Sequence, residues 1–310
     1  ALVLLLLAGA TLTGASASPP GPAYPGGPLP IATGERDGVY YQYGLALRDA
    51  IKQTMPALDP YLTVSSSSRR NLELAADGTV QLAFAGADAV ASLPSHDTGR
   101  LATLARLYDN YLHLVVRRGE TPAVRSMTDL RGKRISIGPE GTGTARTAIQ
   151  LLRVAELEDA VTIQRLGFHD SATALREGTI DAFFFFGGLP TLPIETLNLV
   201  QPIQLIDLGE WIDGLSGHGD FYTQLTIPAS TYGPGIDAVT TVGLPNYLVV
   251  PKRMDPDLAY ALTDLLFAQR EQMAIAHAVV SRLDRRAAIA TPRPMRLHPG
   301  ALAYYRETQV

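Results

Sequence analysis

The 310-residue chain has no cysteine and a single tryptophan. Without cysteine there are no disulfides, no thiolate metal sites, no Cys nucleophile and no Cys through which a lipid could be attached. Lys and Arg number 26 against 30 Asp and Glu, a formal net charge of −4. No dense Lys/Arg tract interleaves with aromatics, so no nucleic-acid partner is expected. No G-x-S-x-G, H-E-x-x-H or EF-hand pattern occurs. The six histidines (His96, His113, His169, His218, His277 and His298) have no metal-ligand spacing. No catalytic residue, metal or cofactor is therefore expected, although distant residues can still converge in space.

The composition is that of an ordinary globular protein, 46% hydrophobic and 18% charged. A chain of this length suggests about two domains, each able to bury a core. Residues 2–10 are apolar and are followed by Ala15–Ser16–Ala17. This has the form of a signal-peptide core with a cleavage site, predicting export and a signal over residues 1–17. An uncleaved N-terminal anchor is the alternative, but the run is too short to span a bilayer as a helix. Residues 18–28 are rich in Pro and Gly and read as a linker.

From residue 29 strands and helices alternate, which implies parallel pairing and an α/β fold. Strands are predicted at 30–33, 61–64 and 81–84, with helices at 39–54 and 69–76. A second unit repeats the scheme: strands at 134–137, 161–166 and 182–186, helices at 145–155 and 171–177. Residues 74–84 align with 174–184. In both, an acidic residue and a Gly end a helix before an apolar strand. A shared helix–Gly–strand grammar would produce the same likeness. Strands at 111–117 and 240–250 read as crossings between the units, and a long helix is predicted over 256–280. The expected architecture is two α/β lobes with a central cleft and hinge. Lobe I is discontinuous, 29–115 plus 223–310; lobe II is 116–222.

Gly138–Pro139–Glu140–Gly141–Thr142–Gly143–Thr144 lies between a strand and a helix. Glycine lets backbone N–H groups approach a ligand, and a helix N-terminus adds unpaired donors and partial positive charge. The P-loop lysine is missing, and Arg146 stands where a dinucleotide fingerprint needs its third glycine. A small anion such as a carboxylate fits what is left, with Thr142 and Thr144 adding hydroxyl donors; a plain capped turn is the alternative. The loops at 33–38 and 65–68 hold the same strand-to-helix position, where parallel sheets bind ligands. Arg36 could pair a carboxylate, or simply be solvated or paired with Glu35 or Asp37. Tyr40, Tyr41, Tyr108 and Tyr111 are candidate cleft walls. Residues 183–186 read as a buried strand, with Gly187 and Gly188 as cleft floor or turn.

At these loops the chain resembles the TAXI family, the solute-binding proteins of TRAP (tripartite ATP-independent periplasmic) transporters. The resemblance runs through Ala32–Thr33–Gly34, Gly38–Val39–Tyr40–Tyr41, Asp129–Leu130–Arg131–Gly132–Lys133 and Gly141–Thr142–Gly143–Thr144. It continues through Asp181–Ala182–Phe183–Phe184, Gly187–Gly188–Leu189–Pro190, Ile227–Pro228–Ala229–Ser230–Thr231–Tyr232, Thr241–Val242–Gly243 and Leu297–His298–Pro299–Gly300. It implies a type II periplasmic-binding-protein fold and a place in the periplasm. It implies delivery of a small organic anion or amino acid, such as glutamate or 2-oxoglutarate, to an integral membrane TRAP permease driven by an ion gradient. The family's ligand contacts map onto Gly34, Tyr40, Tyr41, Ser66, Ser67, Thr142, Gly143 and Thr144. Two loops depart from the pattern. Glu35–Arg36–Asp37 stands where small residues are usual, and Ser65–Ser66–Ser67–Ser68 replaces a Gly-containing loop. A ligand choice unlike that of typical members is expected, with Arg36 involved. A sensing module that signals to a membrane receptor is the alternative.

Overall fold

The computed structural model describes residues 24–36, 38–119, 123–218 and 221–309. The expected signal over 1–17 and most of the expected linker lie outside them. Along the chain run β1 (Gly27–Thr33), α1 (Val39–Thr54), β2 (Leu58–Val64), α2 (Ser68–Asp77), β3 (Leu82–Gly86), α3 (Ala87–Ala91), α4 (Ser95–Thr98) and β4 (Leu101–Arg117). Next come β5 (Arg134–Ser136), α5 (Gly143–Val154), β6 (Thr162–Gln164), α6 (Phe168–Glu177), β7 (Ala182–Gly187), α7 (Leu192–Val200), β8 (Ile203–Leu205), α8 (Gly209–Ile212) and β9 (Thr223–Ile227). The chain closes with β10 (Val239–Pro251), α9 (Pro256–Ala268), α10 (Arg270–Ala276), α11 (Arg285–Ala288) and α12 (Pro299–Glu307).

The strands follow the order β2-β1-β3-β10-β4-β7-β5-β6, with β8 beside β4 and β9 beside β10. β1 is parallel to β2 and β3, and β5 is parallel to β6 and β7. Between these parallel halves run β10 and β4, antiparallel to each other and to their outer neighbours β3 and β7. β4 changes partners along its length. Leu101 to Tyr111 pair with β10, and Tyr111 to Val116 pair with β7. β10 does the same: Val239 to Gly243 pair with β9, and Asn246 to Val249 pair with β3. Two strands thus pass from one α/β half to the other, and the result is two lobes joined by a two-strand hinge.

Period-two alternation explains why both faces of the sheet are buried. In the first half Ile31, Phe84, Leu248 and Val250 face the core under α1, α9 and α12, while Ala32, Ala83, Ala85 and Val249 face α2 and α3. In the second half Leu112, Leu114 and Phe184 pack with α5, and Val115 and Phe183 pack with α6 and α7. The likeness between residues 74–84 and 174–184 is structural as well. α2 ends on Gly78 at φ 87°, and α6 ends on Gly178 at φ 73°. Gln81 N–H then donates to Pro30 O, and Asp181 N–H donates to Arg134 O, each starting a parallel strand. Left-handed backbone of this kind favours glycine.

Three expectations need correction. β4 begins at Leu101, ten residues before the predicted strand, because this polar-interrupted stretch is covered on one side by β10. β1 begins at Gly27, inside the expected linker, where Gly27 N–H donates to Ala57 O. The single helix over 256–280 is broken at Gln269 and again at His277. A straight helix of that length would run roughly 37 Å. The breaks instead fold the chain back, so that Met273, Val279 and Val280 are buried in the first core. His277 Nδ1 accepts from Val279 N–H to start the turn.

His113 is fully buried beside the hinge, within hydrogen-bond distance of the Tyr232 hydroxyl (2.7 Å) and Phe185 O (3.2 Å). Burial lowers its pKa from 6.5 to about 4. The unfolded chain takes up this proton first, so the contribution is complete above pH 6.5 and is lost as pH falls through about 4. A shift of this size corresponds to at most about 3 kcal/mol. Burial also lowers the pKa of His277 and His298, with the same sign. Urea unfolding between pH 7 and pH 4 should show falling stability, with a shallower fall in His113→Gln. An unchanged pH slope in that variant would refute the assignment.

Candidate functional site

The carboxyl ends of β1, β2, β5 and β6 lead into the N-termini of α1, α2, α5 and α6, and all four termini open onto one cavity of about 210 Å³. That is space for about seven waters at liquid density, enough for a small organic molecule. Gly34, Gly38 and Tyr40 line it from α1, and Ser66, Ser67 and Ser68 from α2. Thr142, Gly143 and Thr144 line it from α5, and Phe168, His169 and Ser171 from α6. The caps of α1 and α6 are glycines, Gly38 and Gly167, with no side-chain cap bond. α2 and α5 are capped by Ser67, which accepts from Arg70 N–H, and by Thr142, which accepts from Ala145 N–H, both at 3.2 Å. A helix N-terminus carries amides without intrahelical partners and about half a positive charge.

β4 and β10 supply the floor. The Tyr40 hydroxyl donates to Asn246 Oδ1 and lies 3.3 Å from Ser68 Oγ. Asn110 Nδ2 donates to the same Asn246 oxygen at 3.3 Å. The Tyr108 hydroxyl and Asn110 Oδ1 are buried with no protein hydrogen-bond partner. Such groups are costly unless something in the cavity meets them. Burial, with a smaller contribution from the charge of Asp88, pushes the Tyr40 phenol above its ordinary range, and burial does the same to Tyr108. Both therefore stay neutral; the Tyr40 proton goes to Asn246, while that of Tyr108 has no protein acceptor. Apolar walls come from Phe168 and Phe185, 4.7 Å between centroids, and from Tyr40 stacked on Phe84 at 5.5 Å.

Among the described residues, the carboxylates that line the cavity are those of Glu35 and Asp88, and no Lys or Arg lines it. Positive potential there comes from backbone dipoles, which suits an anion held by amides and hydroxyls. Among the described residues, no group of three or more His, Asp or Glu is placed to hold a metal ion.

Of the residues singled out from sequence, Gly34, Tyr40, Ser66, Ser67, Thr142, Gly143 and Thr144 share this cavity. Arg36, Tyr41 and Gly187 are not among its lining. Arg36 is exposed, donates to the Tyr41 hydroxyl at 3.4 Å and lies 5.7 Å from that ring's centre. Tyr41 therefore holds the guanidinium on the outer side of the loop. The Thr142 hydroxyl, expected to serve a ligand, donates to Pro139 O at 2.7 Å. Thr144 Oγ1 accepts from Phe186 N–H, which leaves its own proton available. Phe185 and Phe186 are half-buried cavity walls, not core like Phe183 and Phe184. Sequence reasoning missed Asp88, Asn110, Asn246 and Phe168. A polar residue inside an apolar run was the available signal for Asp88 and Asn246.

Residues 31–308 match the NMT1-like family. The fold is similar to that of a protein from Bordetella bronchiseptica RB50, with TM-score 0.55 at 15% identity over 91% of this chain and 98% of that one. It is also similar to a Xanthomonas citri protein bound to ATP, TM-score 0.52, 14% identity, over 91% and 98%. The GluR0 ligand-binding core from Nostoc punctiforme, in complex with L-glutamate, gives TM-score 0.50 at 16% identity over 83% and 99%. The architecture is the type II periplasmic-binding-protein fold, two α/β lobes with a cleft and hinge.

Gly187 is buried at the end of β7, and a Cβ there would lie 2.5 Å from Thr191 Oγ1 and 2.6 Å from the Phe185 ring. Gly187→Ala should cost about 1–3 kcal/mol in urea unfolding and displace the Phe185 wall. A wild-type midpoint would contradict this.

Proposed function

We propose that this chain, which belongs to the NMT1-like family, is a solute-binding protein that captures a small organic anion in the cleft between its lobes. One observation carries the reading: four helix N-termini, with hydroxyls from Tyr108, Ser68 and Thr144, converge on one cavity that no Lys or Arg among the described residues lines. A carboxylate matches that chemistry, whether from an organic acid, a dicarboxylate such as 2-oxoglutarate, or an amino acid such as glutamate. The glutamate held by the similarly folded GluR0 core supports the same ligand class. The site is read as binding without catalysis.

The resemblance to the TAXI family supports export to the periplasm and delivery to a TRAP permease. The GluR0 likeness favours a second reading, a sensing module signalling to a receptor. The pairing of β4 and β10 supports lobe boundaries at residues 110/111 and 243/244, outside the lobe II limits of 115/116 and 222/223 expected from sequence. Lobe II would then gain residues 111–115 and the β9 ladder.

Thermal unfolding of protein refolded to remove carried-over solute tests the reading. At about 100 times its dissociation constant, a ligand specific to the folded state adds roughly 2.7 kcal/mol. A clear rise in Tm with one or a few carboxylates is expected from a panel of organic acids and amino acids. No rise with any organic anion would overturn anion capture.

A further inference from the structure

Among the described residues, the charged pair Asp88 and Arg146 joins the two lobes across the cleft. Asp88 stands on α3, directly after β3 of the first lobe, and its side chain is 2% exposed. Its Oδ2 accepts from both Nε and Nη2 of Arg146 on α5, at 2.9 Å each. Arg146 belongs to the second lobe, where α5 packs on β7 and Leu112. Both backbones around the carboxylate are pared to glycine. A Cβ on Gly143 would lie 3.1 Å from Oδ2, and one on Gly86 would lie 2.7 Å from Oδ1. The lobes meet closely at this point, and the pair lies beside the proposed anion seat.

We propose that Asp88 and Arg146 form a latch that sets the balance between closed and open lobes. The inference goes beyond the proposed function and needs only the two-lobed fold and its hinge. The physical ground is the asymmetry of buried ion pairs. A complete pair roughly repays the loss of water, but removing one partner strands the other at high cost. Here hinge opening returns both groups to solvent, so the closed state exists comfortably only while the pair is intact. The two ends differ. Arg146 is already 30% exposed, whereas Asp88 is sealed. Removing Arg146 should therefore open the lobes more than removing Asp88. Asp88→Asn also leaves the anion seat more positive. Weaker carboxylate binding in that variant would then report the lobes and not the local field.

The absence of native cysteine makes the test direct. Lys52→Cys on α1 and Arg176→Cys on α6, both exposed positions, take spin labels on the two lobes. Pulsed electron-electron spectroscopy on the full protein, with no solute added, gives the distance distribution. With Asp88→Asn the ratio of short to long distances should fall at least about tenfold, and further with Arg146→Met. If Asp88→Asn fails to fold, Arg146→Met alone reads the same pair. Wild-type distributions in the folded single variants would overturn the latch. Failure of every carboxylate to bind would overturn the proposed function and leave this result standing.

Discussion

Everything in the molecule depends on the antiparallel pair β4 and β10. Over 17 and 13 residues these strands run through both lobes, and they pair with each other from Gly243–Tyr111 to Pro251–Leu101. The ladder is irregular where the cleft lies, with register shifts after Asn246 and after Leu248. Irregular pairing bends and twists a strand locally and re-aims its side chains. At that bend Tyr108, Asn110 and Leu244 turn toward the cavity, and Asn246 accepts from Asn110 behind it. The hinge and the floor of the site are therefore the same piece of backbone, and motion at one is felt at the other.

Parallel halves on either side of this pair put their strand ends on a common edge. Each strand-to-helix turn there delivers a helix N-terminus, and the dipoles add because they face one point. The site draws positive potential from backbone, with neutral phenols and hydroxyls as donors. Fixed donors of this kind need no side-chain ordering when a ligand arrives, which limits the entropic cost of binding. Asp88 is the counterweight. A carboxylate in the wall of the proposed anion site is tolerable because Arg146 neutralises it, and the neutralising charge comes from the opposite lobe.

Much of this was legible in the sequence where the signal is local. The alternation of strands and helices, the glycine ends at Gly78 and Gly178, and the turns at 33–38, 65–68 and 138–144 all depend on residues close together in the chain. What escaped depends on distant partners. Asn246 takes meaning only from Tyr40, 206 positions away, and from Asn110. The first half of β4 escaped because Arg106, Asp109 and Asn110 interrupt its apolar run; Arg106 and Asp109 pair with each other at 2.6 Å, and Asn110 lines the cavity. Arg36 read as a ligand contact from its loop position, yet the packing of Tyr41 holds it outside. The broken helix after Ala268 escaped because Met273, Val279 and Val280 continue an apolar pattern that fits either one long helix or a folded-back turn.

The central claim is that the cleft holds an organic anion by converging helix termini. The most direct test is identification of small molecules released by denaturing protein purified under native conditions, by mass spectrometry against a mock purification. The account predicts an organic acid or amino acid released in near-stoichiometric amount. Release of a cationic or uncharged metabolite as the sole stoichiometric occupant would contradict it.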